Sequence, residues 1–181
     1  MLIYLIRHGQ TDWNAEGRLQ GQKDIGLNEN GRRQASDNGR RLAEELGDSA
    51  VTFDYVASPL GRTRETMERV RAAMGLDPHG YRTDPRLIEL SFGDWEGSTI
   101  PELQRVMPER VEARARHKWD FIPPGQDAES YEILAHRRRP TDRLRQPWRH
   151  RAQRVPHRRR LERRQGLRHE RAAGPGSQDR P

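Results

Sequence analysis

Two short segments of the chain place cationic side chains and an imidazole where an anion could bind. Residues 7–9 (Arg-His-Gly) follow the apolar run at residues 2–6, which predicts a buried strand. Arg62 follows Ser58 and Pro59, a pair that predicts the start of a helix. Ligands of parallel sheets bind beyond the carboxyl ends of the strands, and free N–H groups at helix starts favour anions. We therefore expect both segments to line one anion-binding crevice.

The residue types in these segments suit phosphoryl transfer. Guanidinium groups donate paired hydrogen bonds to phosphate oxygens, so Arg7 and Arg62 could hold a phosphoryl group. A neutral imidazole at His8 could attack the phosphorus, and the positive charge of nearby arginines disfavours its protonation. Thr11 and Asn14 follow closely and can donate hydrogen bonds to the same anion. We expect His8 to be deprotonated and nucleophilic near neutral pH.

Four motifs together resemble the histidine phosphatase superfamily, in its phosphoglycerate mutase-like branch. They are RHGQTDWN at 7–14, GRLQG at 17–21, SPLGRTRET at 58–66 and LIELSFGDWEG at 87–97. Four motifs in this order make coincidence far less likely than any one motif would. The resemblance covers about the first three quarters of the chain.

The resemblance implies a role for particular residues. His8 would accept the phosphoryl group as phosphohistidine, and Glu89 would protonate the leaving oxygen and then activate water. A Glu in a partly enclosed pocket is suited to that acid role. The implied substrate contacts are at Arg7, Asn14, Arg18 and Arg62. No metal or cofactor is implied, since the guanidinium groups neutralise charge, and the implied partner is a small phosphorylated metabolite.

The motif around Glu89 favours hydrolysis over mutase chemistry. Its sequence at 87–97 is similar to the small-metabolite phosphatases of the family, whereas glycolytic mutases usually carry a Glu-Arg-His-Tyr-Gly version. We expect a phosphomonoester hydrolase, with phosphoglycerate mutase-type phosphoryl transfer as the alternative. The sequence does not identify the substrate or the oligomeric state.

The elements that would position these residues alternate between strands and helices. Predicted strands lie at 2–6 and 53–57, and predicted helices at 28–46, 58–74, 100–106, 108–119 and from 130 onward. Alternation of this kind predicts an α/β sandwich around a mostly parallel sheet. The resemblance implies the three-layer, phosphoglycerate mutase-like form of that fold. After Ala135 neither helical nor strand periodicity continues, so we expect the fold to be incomplete at its C-terminal end.

The charge of the chain is divided unevenly. Residues 1–135 carry a net charge of −5, whereas residues 136–181 carry 16 arginines, no lysine and 4 acids. We interpret 1–135 as a truncated catalytic domain and 136–181 as a disordered, Arg-rich tail. The chain has no cysteine, no transmembrane stretch and no recognisable signal peptide, so we expect a cytoplasmic protein without membrane contact.

The family's second histidine, which follows a late apolar strand, has no counterpart here. Arginine without lysine is typical of a GC-rich gene read out of frame. Dropping one base from the codons of residues 148–156 permits Gly-Val-Ile-Val-His-Ser-Gly-Val-Ser-Arg, which contains such a strand and histidine. We therefore hypothesise that the reading frame is disrupted just after about Ala135. A domain stable by only about 5–15 kcal/mol cannot lose central strands without harm, so we expect poor folding and impaired activity.

Two non-enzymatic functions remain open at this point. The Arg-rich tail could contact nucleic acid through phosphate charge, but it has no recognisable nucleic-acid fold and almost no aromatic residues, so no specific nucleic acid is expected. The chain could also be an inactive relic, because the second histidine is missing.

Overall fold

The computed structural model describes residues 2–138 of the chain. Its helices are α1 (Asp12–Ala15), α2 (Glu29–Leu46), α3 (Gly61–Ala73), α4 (Ile100–Val106), α5 (Pro108–Arg116) and α6 (Tyr131–Arg138). The strands are β1 (Val56–Ala57) and β2 (Arg82–Thr83), and short 3₁₀ turns lie at Gly47–Thr52, Pro85–Leu87 and Gly93–Trp95. None of these helices is both long and apolar enough to cross a membrane.

The sheet of the described part is small and parallel. Val56 pairs with Arg82 and Ala57 with Thr83, so only the last two residues of the predicted strand at 53–57 form a strand. The predicted buried strand at 2–6 is wrong for this structure, because no strand is assigned there and Leu5 is 96% exposed. A strand needs a hydrogen-bonded neighbour, and within residues 2–138 the N-terminal segment pairs with none.

Helices α2 and α3 pack closely against each other. Asn28 caps the start of α2 by accepting a hydrogen bond from the Gly31 amide, and Gly47, which has φ +50°, caps the end of the helix after Leu46. A Cβ on Gly39 would lie 2.4 Å from the carbonyl oxygen of Val70, so only glycine allows this approach. Both ends of α2 agree with the sequence prediction.

Helix α3 begins later than the sequence predicts. The pair Ser58-Pro59 indicated a start at residue 58, but the helix begins at Gly61 with Leu60 as its cap. No side chain of Leu60 caps the helix, and the carboxylate of Asp24 binds the Gly61 amide at 2.7 Å instead. A partner distant in sequence therefore sets this helix boundary.

A separate apolar cluster joins α4 and α5 to the turn at Gly93–Trp95. Trp95, Leu103 and Val111 form its buried centre. The partly buried residues packed around that centre are Leu19, Phe92, Ile100 and Phe121. Helix α4 is fixed by a capping box between Thr99 and Glu102, so the loop that follows Glu89 rests on a packed base.

Helix α6 continues past Ala135, the predicted end of the ordered domain, and reaches Arg138. The predicted disordered, out-of-frame tail at 136–181 lies outside the described residues except for 136–138. The same holds for the alternative that this tail contacts nucleic acid.

Candidate active site

The backbone at residue 9 fixes the position of His8. The Gly9 amide donates to Thr66 Oγ1 of α3 at 3.1 Å. A Cβ at this position would lie 2.2 Å from the carbonyl oxygen of Gly31 in α2, so the chain can pass there only as glycine. Gly9, the residue after His8, is therefore held between Gly31 of α2 and Thr66 of α3.

The ring of His8 is held in one tautomer. Its Nδ1 lies 2.7 Å from the carbonyl oxygen of Gly9, and because a carbonyl can only accept, Nδ1 carries the hydrogen. The lone pair of the neutral ring is then on Nε2. Burial lowers the pKa of His8 from its usual 6.5, and the charges of Arg62 and Arg7 lower it further, against the opposing effects of the Gly9 carbonyl and Glu89. The sequence predicted a lowered pKa of His8 from the charge of the arginines alone, but burial of the ring is the larger cause.

Arg62 is the most deeply buried charged residue of this region, with only 1% of its surface exposed. Its Nη1 donates to the carbonyl of Lys23 and its Nη2 to the carbonyl of Gly21, both at 2.7 Å. Because a guanidinium can only donate, the Gln20 amide oxygen faces it and accepts from Nε and Nη1 at 3.1 Å. Burial lowers the pKa of Arg62, although nearby acids oppose this. The loop at 20–23 thus fixes the guanidinium.

The start of α3 does not offer its free N–H groups to a ligand. The carboxylate of Asp24 accepts from the amides of Gly61 at 2.7 Å and Arg62 at 3.4 Å. The sequence predicted that these amides would bind an anionic ligand. The anion that they bind in the structure is instead the Asp24 carboxylate. No local pattern marked Asp24, because its partners lie 37 and 38 residues away.

Asn14 is fixed by a capping box at α1. The side-chain Oδ1 of Asn14 accepts from the backbone amide of Thr11 at 3.2 Å, and the backbone amide of Asn14 donates to Thr11 Oγ1 at 3.1 Å. The carbonyl end of the Asn14 side chain is thereby used, which leaves its NH₂ end to donate to a ligand.

Glu89 lies on an exposed loop, so the expected partly enclosed pocket is absent around it within the described residues. Its Oε1 accepts from the Leu90 amide at 2.7 Å. Its charge nevertheless raises the pKa of both His8 and Arg62. The three residues therefore share one electrostatic neighbourhood.

Arg7 and Arg18 differ in their contacts with the rest of the protein. Arg7 is exposed, and its charge contributes to the lowered pKa of His8. Arg18 donates to Glu16 at 2.6 Å, to the Gly97 carbonyl at 2.7 Å and to Glu102 at 3.1 Å. These partners tie Arg18 to α4, and no contact among residues 2–138 brings it to His8. A substrate contact for Arg18 stays a prediction.

Glu96 is a contributor that sequence reasoning did not assign to the site. Its Oε1 accepts from the amides of Gln22 at 2.8 Å and Phe92 at 3.2 Å. A Cβ on Gly21 would lie 2.1 Å from that oxygen. Glu96 thus joins the loop that holds Arg62 to the loop after Glu89.

Comparison with known proteins decides the family. The sequence profile of the histidine phosphatase superfamily (branch 1) matches residues 3–152. The chain belongs to the histidine phosphatase superfamily. Within residues 2–138, no three side chains of His, Asp or Glu cluster as metal ligands.

The chain spans only part of the relatives and solved structures that it resembles. It is 45% identical over 101 residues to a probable phosphoglycerate mutase, GpmB, of Escherichia fergusonii, which is 56% of this chain but 43% of the relative. A mycobacterial glucosyl-3-phosphoglycerate phosphatase solved with VO3 is 32% identical, with a TM-score of 0.58 over 72% of this chain and 60% of that one.

A putative alpha-ribazole-5'-P phosphatase of Escherichia coli gives a TM-score of 0.60 at 29% identity, over 73% of this chain and 60% of that chain. These structures confirm the predicted phosphoglycerate mutase-like fold class. The chain spans less than half of GpmB, so some of the fold of such relatives has no matched counterpart here.

Proposed function

We propose that the site hydrolyses a phosphomonoester through a phosphohistidine on His8. The observation that carries the proposal is the orientation of His8, whose Nδ1–H donates to Gly9 and whose ring is kept neutral beside the buried Arg62. A neutral Nε2 with its lone pair free is the form that attacks phosphorus. The phosphatase names of the two solved neighbours support hydrolysis.

The reaction would proceed in two steps, phosphorylation of His8 and then hydrolysis of the phosphohistidine. His8 Nε2 attacks phosphorus, the P–O ester bond breaks, and the leaving oxygen takes a proton from Glu89. The Glu89 carboxylate then takes a proton from water, whose oxygen attacks phosphorus as the N–P bond breaks. Inorganic phosphate leaves, and His8 and Glu89 return to their starting forms. Arg7 and Asn14 would donate to the phosphoryl oxygens. Arg62 would add one hydrogen bond from the second N–H of its Nη2, since the 20–23 loop accepts from its other donors.

We infer that the activity of this chain is impaired. The motif of the second family histidine is absent from the sequence, so one contact to the transferring group is missing. If a change of reading frame is the cause, it lies after Arg137, because that residue makes four specific hydrogen bonds in the fold. The nucleotide sequence across codons 138–150 tests this: a single-base change should restore a strand followed by histidine.

Trapping of the phosphoenzyme tests the proposed chemistry. The chain is mixed briefly with a ³²P-labelled phosphomonoester and quenched in base, which preserves phosphohistidine. We expect label on His8 and none in His8→Ala. Label in the His8→Ala variant, or none in the wild-type chain, would overturn the proposal.

Phosphoglycerate mutase-type transfer is the second candidate, and the names of the curated relatives favour it. Incubation with a phosphoglycerate separates the two reactions. A hydrolase releases inorganic phosphate, whereas a mutase converts the substrate to its isomer without releasing phosphate.

A further inference from the structure

Two side chains distant in sequence bind the peptide that carries Glu89. Gln22 Nε2 donates to the carbonyl oxygen of Glu89 at 3.1 Å. Arg137 Nη2 donates to the same oxygen at 3.3 Å and to the carbonyl of Ile88 at 3.0 Å. The Glu89 side chain itself has only the adjacent Leu90 amide as a partner among residues 2–138. The position of its carboxylate therefore depends on how its backbone is held.

Glu129 joins these donors into one cluster. One of its oxygens, Oε2, accepts from Arg137 Nη2 at 3.1 Å, from Gln22 Nε2 at 3.2 Å and from the Ser91 amide at 3.1 Å. The Glu129 amide donates in turn to the Ser91 carbonyl at 3.0 Å. Both charged side chains are largely buried, with 15% of Glu129 and 24% of Arg137 exposed, so water screens this ion pair less than it would a surface pair.

Helix α6 places Arg137 in this cluster. Ser130 starts the helix, since its Oγ accepts from the Ile133 amide at 3.1 Å. Leu134 is buried on the same helix. Arg137 lies seven residues after Ser130, which is about two helical turns, so it falls on the same face as the cap. The spacing of Glu129 and Arg137 around an N-cap serine is therefore what lets both reach the Glu89 loop.

We propose that Gln22, Glu129 and Arg137 form a clamp that positions the carboxylate of Glu89 towards His8, with Arg137 as its principal positioning residue. The inference rests on the proposed function, because it assigns the clamp a purpose only if Glu89 is the general acid. A catalytic group must be held to within a fraction of an ångström, and an exposed loop side chain has little packing to hold it. The clamp supplies that restraint through the backbone.

The leaving group distinguishes positioning from general structural support. An alkyl phosphate has a poor leaving oxygen that needs a proton from Glu89, whereas p-nitrophenolate leaves without one. Displacing Glu89 should therefore slow the transfer of phosphoryl from glycerol phosphate to His8 but spare transfer from p-nitrophenyl phosphate. Unfolding the site would slow both.

The test compares Arg137→Met and Glu129→Gln with the wild-type 181-residue chain. Arg33→Met is the matched control, because Arg33 is exposed on α2 and its ion pair is with Glu29. We expect the two clamp variants to lose at least about tenfold in the rate of His8 labelling from glycerol phosphate. Labelling from p-nitrophenyl phosphate should change by less than about threefold, and the control should change neither rate. Equal losses on both substrates, or no loss, would overturn the clamp.

An NMR titration of His8 tests the clamp without requiring any catalytic activity. The charge of Glu89 raises the pKa of His8, so Glu89→Gln should lower it. If Arg137 holds Glu89 near His8, Glu89→Gln should have a smaller effect on that pKa in the Arg137→Met background, and an equal effect in both backgrounds refutes the proposal. If the wild-type chain never labels His8, the proposed function fails while this titration still decides the clamp.

Discussion

Thr66 Oγ1 accepts a hydrogen bond from the Gly9 amide at 3.1 Å and donates one to the Arg62 carbonyl at 2.7 Å. One hydroxyl thus ties the residue after His8 to the helix that carries Arg62. Thr66 is buried, so water cannot replace either contact.

Replacing that hydroxyl tests its contribution to stability. Thr66→Val keeps the shape of the side chain but leaves the Gly9 amide without its partner, which should lower the free energy of unfolding by about 1–3 kcal/mol. Urea denaturation measures the loss. Thr66→Ser retains the hydroxyl and should lose clearly less, so equal losses in the two variants would contradict this account.

The lowered pKa of His8 predicts the pH dependence of its phosphorylation. The neutral ring is the reactive form, so labelling from p-nitrophenyl phosphate, whose leaving group needs no proton from Glu89, should rise with pH through a midpoint below 6.5 and then stay level. Stability has the matching sign, because the unfolded chain protonates His8 more readily and the folded state loses stability as pH falls below 6.5. NMR titration of His8 and the rate of phosphoenzyme formation should give the same midpoint. A midpoint at or above 6.5 is the contrary result.

Gly9 is predicted to tolerate no side chain. An added Cβ would lie 2.2 Å from the Gly31 carbonyl oxygen, and backbone atoms cannot move aside cheaply. We expect Gly9→Ala to lower the free energy of unfolding by about 1–3 kcal/mol and to abolish labelling of His8. Gly26→Ala is the control, because its Cβ would meet nothing within 4 Å. Similar losses in both variants would show that general loop sensitivity, and not the contact with Gly31, is responsible.

Part of this arrangement could be predicted from sequence because its causes are local. Asn28 and Gly47, which mark the ends of α2, are examples. The motifs also predicted that His8 and Arg62 lie together; the charge of Arg62 acts on His8 in the structure, and the role of the pair in phosphate binding stays a prediction. The partners of Arg62 could not be predicted, since a guanidinium buried against carbonyls of the 20–23 loop leaves no periodic signal. The predicted strand at 2–6 was wrong for a related reason: apolar composition favours a strand, but hydrogen-bonded neighbours must be present to form it.

Asp84 is predicted to support the turn that precedes Glu89. Hydrogen bonds from Arg86 hold the pKa of Asp84 at about 2, below its usual 3.8. The carboxylate therefore contributes stability that is present above about pH 4 and is lost as pH falls towards 2. Allowing for screening by water, Asp84→Asn should cost about 1 kcal/mol at neutral pH. Asp37→Asn, which removes an exposed pair with Arg40 on α2, is the control and should cost less in the same urea titration.

The exposed N-terminal segment is predicted to make the chain self-associate. Leu2, Ile3 and Leu5 are 65%, 69% and 96% exposed in a segment that has no assigned helix and forms no ladder within residues 2–138. Apolar side chains beside unpaired backbone groups form an edge to which another chain can add. Leu5→Lys should raise the concentration at which light scattering first detects assemblies, because a charge on the edge opposes pairing. Val51→Lys is the control, since Val51 is also exposed but lies in a 3₁₀ turn and offers no such edge. If both variants raise the threshold equally, added charge and not the N-terminal edge governs association.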